Sequence, residues 1–131
     1  MTFVNERTIK AVRKSRRCDG CSTMINVGDE AIGWAGAVDG DFSTATFHTD
    51  CRNAEIGLNR AHGTGWSDDW MGLGDMEDDD HPWLLAKHPI VAARMSITAE
   101  TIAQNEREAA SLREASRAAM LSARQETRHG D

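Results

Sequence analysis

The chain has 131 residues and a formal net charge of −6, a length that suits one domain or a small module with an appendage. Three cysteines are an odd number, and no apolar signal-peptide core precedes them, so the sequence argues against a disulfide-stapled secreted fold. A reducing cytoplasm is the expected compartment, and no apolar run approaches the roughly 18 residues of a membrane span.

The chain begins with a basic N-terminal arm. Residues 1–17 carry six cations against one acid, Glu6, which leaves a local excess of five positive charges. Apolar residues alternate imperfectly here, so the pattern does not separate a short strand from a short helix. The cations either offset the negative charge of a nearby metal site or bind nucleic-acid phosphates, and both uses remain open. The candidate nucleic-acid residues are Arg7, Lys10, Arg13, Lys14, Arg16 and Arg17.

All three cysteines lie between residues 18 and 51, where a histidine completes a C-x2-C…H-x2-C pattern. Gaps of two residues let both side chains of a pair reach one ion from a single turn or helix start. Four such ligands close a tetrahedral shell, so we predict one structural Zn²⁺, and a finger this small needs that metal for stability. Accidental spacing is the alternative. The predicted ligands are Cys18, Cys21, His48 and Cys51.

The residues between the two ligand pairs predict a hairpin and a helix. Gly20 is expected to supply the positive φ of a tight turn within the first pair. Residues 30–38 and 42–47 predict two strands, and Asp39-Gly40 between them is a hairpin turn signal. Thr49 is a candidate N-cap for a helix that ends at Gly63. The second ligand pair is therefore predicted at the N-terminus of a helix.

A knuckle, a hairpin and a helix in this order form the treble-clef arrangement. The pattern resembles that of the zinc fingers of poly(ADP-ribose) polymerases and of small treble-clef proteins of bacteria and their phages, and overall size favours the second group. The resemblance to the second group implies that the cytoplasm is that of a bacterium or of an infected host cell. This resemblance covers roughly residues 8–62 and implies a zinc site with the same four ligands. The matching positions are Cys18, Cys21, Ile25, Gly28, Phe47, His48 and Cys51.

Residues 64–89 form an acidic connecting segment rich in glycine and tryptophan. Because it has no regular periodicity, we predict an irregular covering segment with a solvated acidic run. Its tryptophans either fold back to enlarge a thin core or anchor a partner's pocket, while its acids steer toward a basic surface. The predicted partner-binding residues are Trp66, Trp70, Asp78, Asp79, Asp80 and Trp83.

Residues 97–128 predict one long C-terminal helix, since neither glycine nor proline interrupts them. A stripe of mostly small side chains along it suits packing against the finger or against a second copy. The length of the helix favours the second arrangement, a homodimer.

Together these elements predict an α+β protein with a treble-clef domain over residues 1–63, the acidic segment over 64–89 and the long helix within 90–131. We expect no enzyme, because no nucleophile, base or open metal position assembles. The favoured function is a zinc-stabilised protein-interaction module, such as a phage or mobile-element adaptor or inhibitor acting on a host complex. A nucleic-acid-binding finger that uses the basic arm is the alternative.

Overall fold

The computed structural model describes residues 3–38, 40–64 and 69–128. The fold is mixed α+β, with a small antiparallel sheet followed by helices. It divides into two units, Met1–Ile97 and Thr98–Asp131, which we describe separately. None of the helices among these described residues is both long and apolar enough to cross a membrane.

The basic arm begins with a strand, β1 (Phe3–Ile9), which resolves the ambiguity between strand and helix. Two short strands follow, β2 (Arg16–Arg17) and β3 (Met24–Ile25), and they pair antiparallel with each other. The first ligand pair lies in the turn between β2 and β3. The two-stranded ribbon therefore fixes the backbone on both sides of the Cys18–Cys21 turn.

The predicted hairpin is present as β4 (Ala31–Val38) and β5 (Asp41–His48). These strands pair antiparallel from Ala31↔His48 to Val38↔Asp41, and β1 adds to the other side of β4, which gives the order β1-β4-β5. Gly40 has a φ of +86°, the turn conformation that favours glycine. Asp39, the other predicted turn residue, lies outside the described residues.

Helix α1 (Thr49–Ala61) follows β5 directly. The prediction that Thr49 caps this helix is wrong, because His48 is the N-cap residue and the Thr49 hydroxyl instead donates to Glu30 Oε1 at 3.0 Å. The helix ends at Ala61, with His62 as its C-cap, and the predicted stop Gly63 follows directly with a φ of +72°. Helix α1 contacts β4, β5 and the segments that follow it, so it forms the centre of the unit.

The acidic connecting segment is less irregular than predicted. Two 3₁₀ turns, Leu73–Asp75 and Asp78–Asp80, precede helix α2 (His81–Lys87) and helix α3 (Pro89–Arg94). Each helix has a proline in its first turn, where a missing N–H costs no hydrogen bond. The buried apolar core joins these elements to α1 and to the strands before it through its largest fully buried apolar side chains other than cysteine, Ile25, Leu58, Leu73, Leu84 and Val91.

The second unit contains the long helix, α4 (Ala99–Arg128), two residues shorter at its start than predicted. The Thr98 and Thr101 side chains each accept a hydrogen bond from the other residue's backbone N–H, which fixes the first turn. Three large apolar side chains of α4 are more than half exposed: Leu112, Met120 and Leu121. Pairing with a second copy through this helix stays a prediction.

Candidate metal centre

Three separate elements bring the four predicted ligands together. Cys18 and Cys21 come from the turn between β2 and β3, His48 is the last residue of β5, and Cys51 lies in the first turn of α1. Their ligand atoms all lie within 4.8 Å of one another, and each residue is at most 7% exposed. Such a buried cluster of three thiols and one imidazole could hold one metal ion.

Backbone donors converge on the Cys18 sulfur. The N–H groups of Gly20 and His48 each donate to Cys18 Sγ at 3.3 Å. The positive φ in this turn belongs to Ser22 (66°), which corrects the expectation for Gly20. Gly20 is required for space instead, because a Cβ there would lie 3.1 Å from Leu73 Cδ1 and 3.3 Å from Cys51 Cβ.

The orientation of His48 makes Nδ1 the ligand atom. Its Nε2 lies 3.2 Å from the carbonyl oxygen of Met24, and because a carbonyl can only accept, Nε2 carries the proton. The lone pair of Nδ1 then faces Cys21 Sγ at 3.4 Å and Cys51 Sγ at 3.7 Å. A hydrogen bond from the second ring nitrogen to a carbonyl is a common support for a metal-binding histidine.

The three thiols oppose one another's ionisation. The hydrogen bond from Cys51, together with the backbone donors, lowers the pKa of Cys18 to about 4 against the opposing effect of burial. The same hydrogen bond, burial and the nearby Cys18 and Cys21 charges raise the pKa of Cys51 far above its usual value. A divalent cation removes this conflict, because it favours the thiolate form of every ligand.

A cation that the sequence did not indicate also reaches the centre. Arg94 of α3 donates to Asp50 and, at 3.5 Å, to Cys51 Sγ. Burial lowers the pKa of Arg94, but its hydrogen bonds to Asp50 and Cys51 outweigh that effect and raise the pKa above its usual value. Arg94 thus supplies the charge-offsetting role that was one of the two alternatives for the basic arm. Arg17 of that arm donates to the carbonyl of Ser22.

The segment of residues 71–73 packs beside the centre. Leu73 is 1% exposed, and its Cδ1 approaches Gly20 on the Cys18–Cys21 turn. Helix α1 holds the segment through side chains: Asn59 exchanges two hydrogen bonds with the Met71 backbone, at 2.7 and 2.8 Å, and Glu55 accepts from the Leu73 N–H at 3.1 Å. The Leu73 side chain therefore packs beside the cluster as an apolar cover.

Leu73→Ala should destabilise the α+β unit by about 2–5 kcal/mol, since it removes a fully buried side chain and leaves a cavity beside the metal ligands. Urea unfolding of the metal-loaded chain measures this loss. Leu121→Ala is the matched control, because Leu121 is 54% exposed and its truncation should change stability by less than about 0.5 kcal/mol. Equal stabilities of the two variants would show that Leu73 does not support the centre.

The predicted partner-binding residues that the structure describes make several separate contacts. Trp70 Nε1 donates to Glu55 at 3.2 Å and its ring lies under the Arg52 guanidinium, while the Trp83 ring packs on Gly57. Both rings thus contact α1, as the core-enlarging alternative predicts. Asp80 accepts from His62 at 2.8 Å, Asp78 and Asp79 are exposed, and Trp66 lies outside the described residues. Their role in binding a partner stays a prediction.

Comparison of the chain with protein-family models, curated proteins and solved structures finds no match. The geometry of the described residues must therefore carry any functional argument.

Proposed function

We propose that this chain is a non-enzymatic protein-interaction module stabilised by one structural Zn²⁺. The buried set of Cys18, Cys21, His48 and Cys51 carries the proposal. Four protein ligands complete the tetrahedral shell of Zn²⁺ and leave no coordination position for a water or a substrate. The metal would then hold the fold together and perform no reaction.

The donor set favours zinc among the common metals. Three thiolates and an imidazole are soft or borderline ligands, which suit Zn²⁺ and poorly suit Mg²⁺ or Ca²⁺. The ligand-bearing elements, a turn, the end of a hairpin and the first turn of a helix, support the treble-clef interpretation. A metal-stabilised scaffold of this kind suits an adaptor or inhibitor that presents surfaces to another protein.

Exposed acidic side chains support a protein partner. The Asp78 side chain is 71% exposed, and Glu77 and Asp79 beside it are exposed as well. With a net charge of −6, long-range electrostatics favour basic partner surfaces over nucleic acid. Steering of this type raises association rates more than affinity.

A nucleic-acid-binding finger is the second candidate. The observation that favours it is the exposure of the cations in the basic arm: within the described part of the chain, none of the six makes an ion pair, and Arg17 donates only to a backbone carbonyl. The six are Arg7, Lys10, Arg13, Lys14, Arg16 and Arg17.

Two measurements on one sample test the proposal. Native mass spectrometry should find one zinc per chain, and a strong chelator should remove it together with the cooperative thermal transition, which added Zn²⁺ should restore. Mobility-shift assays should find no tight binding of single-stranded or duplex oligonucleotides at about 0.15 M salt. A metal-free folded chain would overturn the zinc assignment, and tight salt-sensitive oligonucleotide binding would replace the first function with the second.

A further inference from the structure

A groove with positive walls lies on one face of the three-stranded sheet. We call it the cationic groove; it encloses about 370 Å³, and Arg7 and Arg16 stand beside a floor formed by Gly33 and Ala35, with Thr44 on β5. None of its lining residues is acidic. The lining of the groove is therefore positively charged, although the chain as a whole has a net charge of −6.

The small residues of β4 create the groove. Gly33 pairs with Arg7 on one side and Thr46 on the other, so all three side-chain positions point to the same face. A Cβ on Gly33 would lie 3.5 Å from Arg7 Nε, which shows that the arginine side chain lies directly across the glycine. The groove therefore depends on the absence of a side chain at position 33.

Among the described residues, no acidic side chain forms an ion pair with the arginines of the groove. Arg52 pairs with Glu6 and Glu55, and Arg94 pairs with Asp50. By contrast, within residues 3–38, 40–64 and 69–128 neither Arg7 nor Arg16 forms an ion pair. Two arginines that line one groove and have no counter-ion from the described part of the chain favour an anionic occupant.

The edge of the sheet beside the groove is open. β1 is the outer strand of the sheet, and residues 4–8 are all exposed. Alternate residues of an edge strand direct their backbone N–H and C=O groups outward, and among the described residues no other segment pairs with those of β1. An extended peptide can satisfy these groups by adding a strand, whereas a nucleic acid cannot.

We propose that the cationic groove and the edge of β1 bind an extended acidic segment of a partner protein, with a carboxylate between Arg7 and Arg16. This inference rests on the proposed protein-interaction function and concerns a second surface, separate from the exposed acids of residues 77–79: at the groove the partner contributes an acidic segment, whereas basic surfaces suit the exposed acids. The open edge favours a peptide over a nucleic acid, and so does the chain's net negative charge, which repels a long polyanion more than a short acidic segment.

A labelled poly-glutamate peptide, titrated with the zinc-loaded full chain at low salt, tests the assignment by fluorescence anisotropy. Arg7→Glu/Arg16→Glu should weaken binding by about tenfold or more, because repulsion replaces two charge-assisted contacts. Gly33→Val should weaken it by a similar factor without any change in charge, since the new side chain fills the groove. Arg113→Glu/Arg117→Glu on α4 is the matched charge-reversal control and should bind like the unmodified chain.

Three results would overturn the proposal: no binding by the zinc-loaded chain, equal weakening in the α4 control, or tighter binding of single-stranded oligothymidine than of the peptide. Zinc content and circular dichroism of each variant report its fold separately. If the double reversal loses zinc, Arg7→Gln/Arg16→Gln replaces it with the same expected direction. If the chain binds zinc but not the peptide, only the groove proposal is wrong. If the chain contains no zinc, the proposed function itself is wrong.

Discussion

His48→Gln is expected to release the metal and abolish the cooperative unfolding transition of the α+β unit. The substitution removes the Nδ1 ligand that faces Cys21 and Cys51, and it leaves three buried cysteines without a complete coordination shell. Structural zinc contributes about 10–16 kcal/mol of apparent binding energy in small peptides, which equals or exceeds the roughly 5–15 kcal/mol that a whole domain has available. Loss of one ligand should therefore be enough to unfold the unit.

Metal content and thermal melting followed by circular dichroism measure this effect. His62→Gln is the control, since the His62 side chain is 42% exposed and lies outside the ligand cluster, where it pairs with Asp80. The control should retain one zinc and a cooperative transition. A His48→Gln chain that melts like the control would contradict the structural role of the metal.

Arg52→Ala should lower the free energy of unfolding by about 3–5 kcal/mol, because it removes one partner of a buried ion pair. Arg52 is 2% exposed, donates to Glu6 and to Glu55, and stacks over the Phe47 ring with its Cζ 5.3 Å from the centroid. Burial already raises the pKa of the Glu55 carboxyl above its usual range, even with Arg52 beside it. Without Arg52, that carboxylate would be buried with no positive partner.

Urea unfolding of the zinc-loaded variants measures the cost. Arg52→Ala/Glu55→Gln should recover about 1–3 kcal/mol, since the neutral amide removes the buried charge and keeps an acceptor for the Leu73 N–H. Arg60→Ala, at an exposed position of the same helix, should change stability by less than about 0.5 kcal/mol. If the double variant is no more stable than Arg52→Ala, the penalty arises from lost packing and not from the unpaired carboxylate.

The metal cluster and the hairpin could be predicted from the sequence because both depend on local patterns. Ligand spacing of two residues identified Cys18, Cys21, His48 and Cys51, and a Gly40 turn between alternating strands identified β4 and β5. The positive φ of Ser22 was missed because a glycine stood two residues before it and is the usual candidate for that conformation.

Contacts between distant residues could not be predicted in this way. Arg94 reaches Cys51 across 43 positions of the chain, and no periodic pattern links a residue of α3 to one of α1. The bond pair between Asn59 and Met71 likewise depends on how the segment after α1 folds back. Helix α2 was missed because it spans only seven residues and follows a segment dominated by glycine and acidic residues.

The Leu73 cover and the Asn59–Met71 bonds have a consequence for the kinetics of metal exchange. Cys51 is fully buried, and Leu73 is one of the side chains packed beside the cluster. Opening of the segment of residues 71–73 breaks the bonds that Asn59 and Glu55 make to it, so we expect local unfolding here to expose the cluster. The lifetime of a metal ion held by the cluster would then depend on this local unfolding as well as on the strength of the ligand bonds.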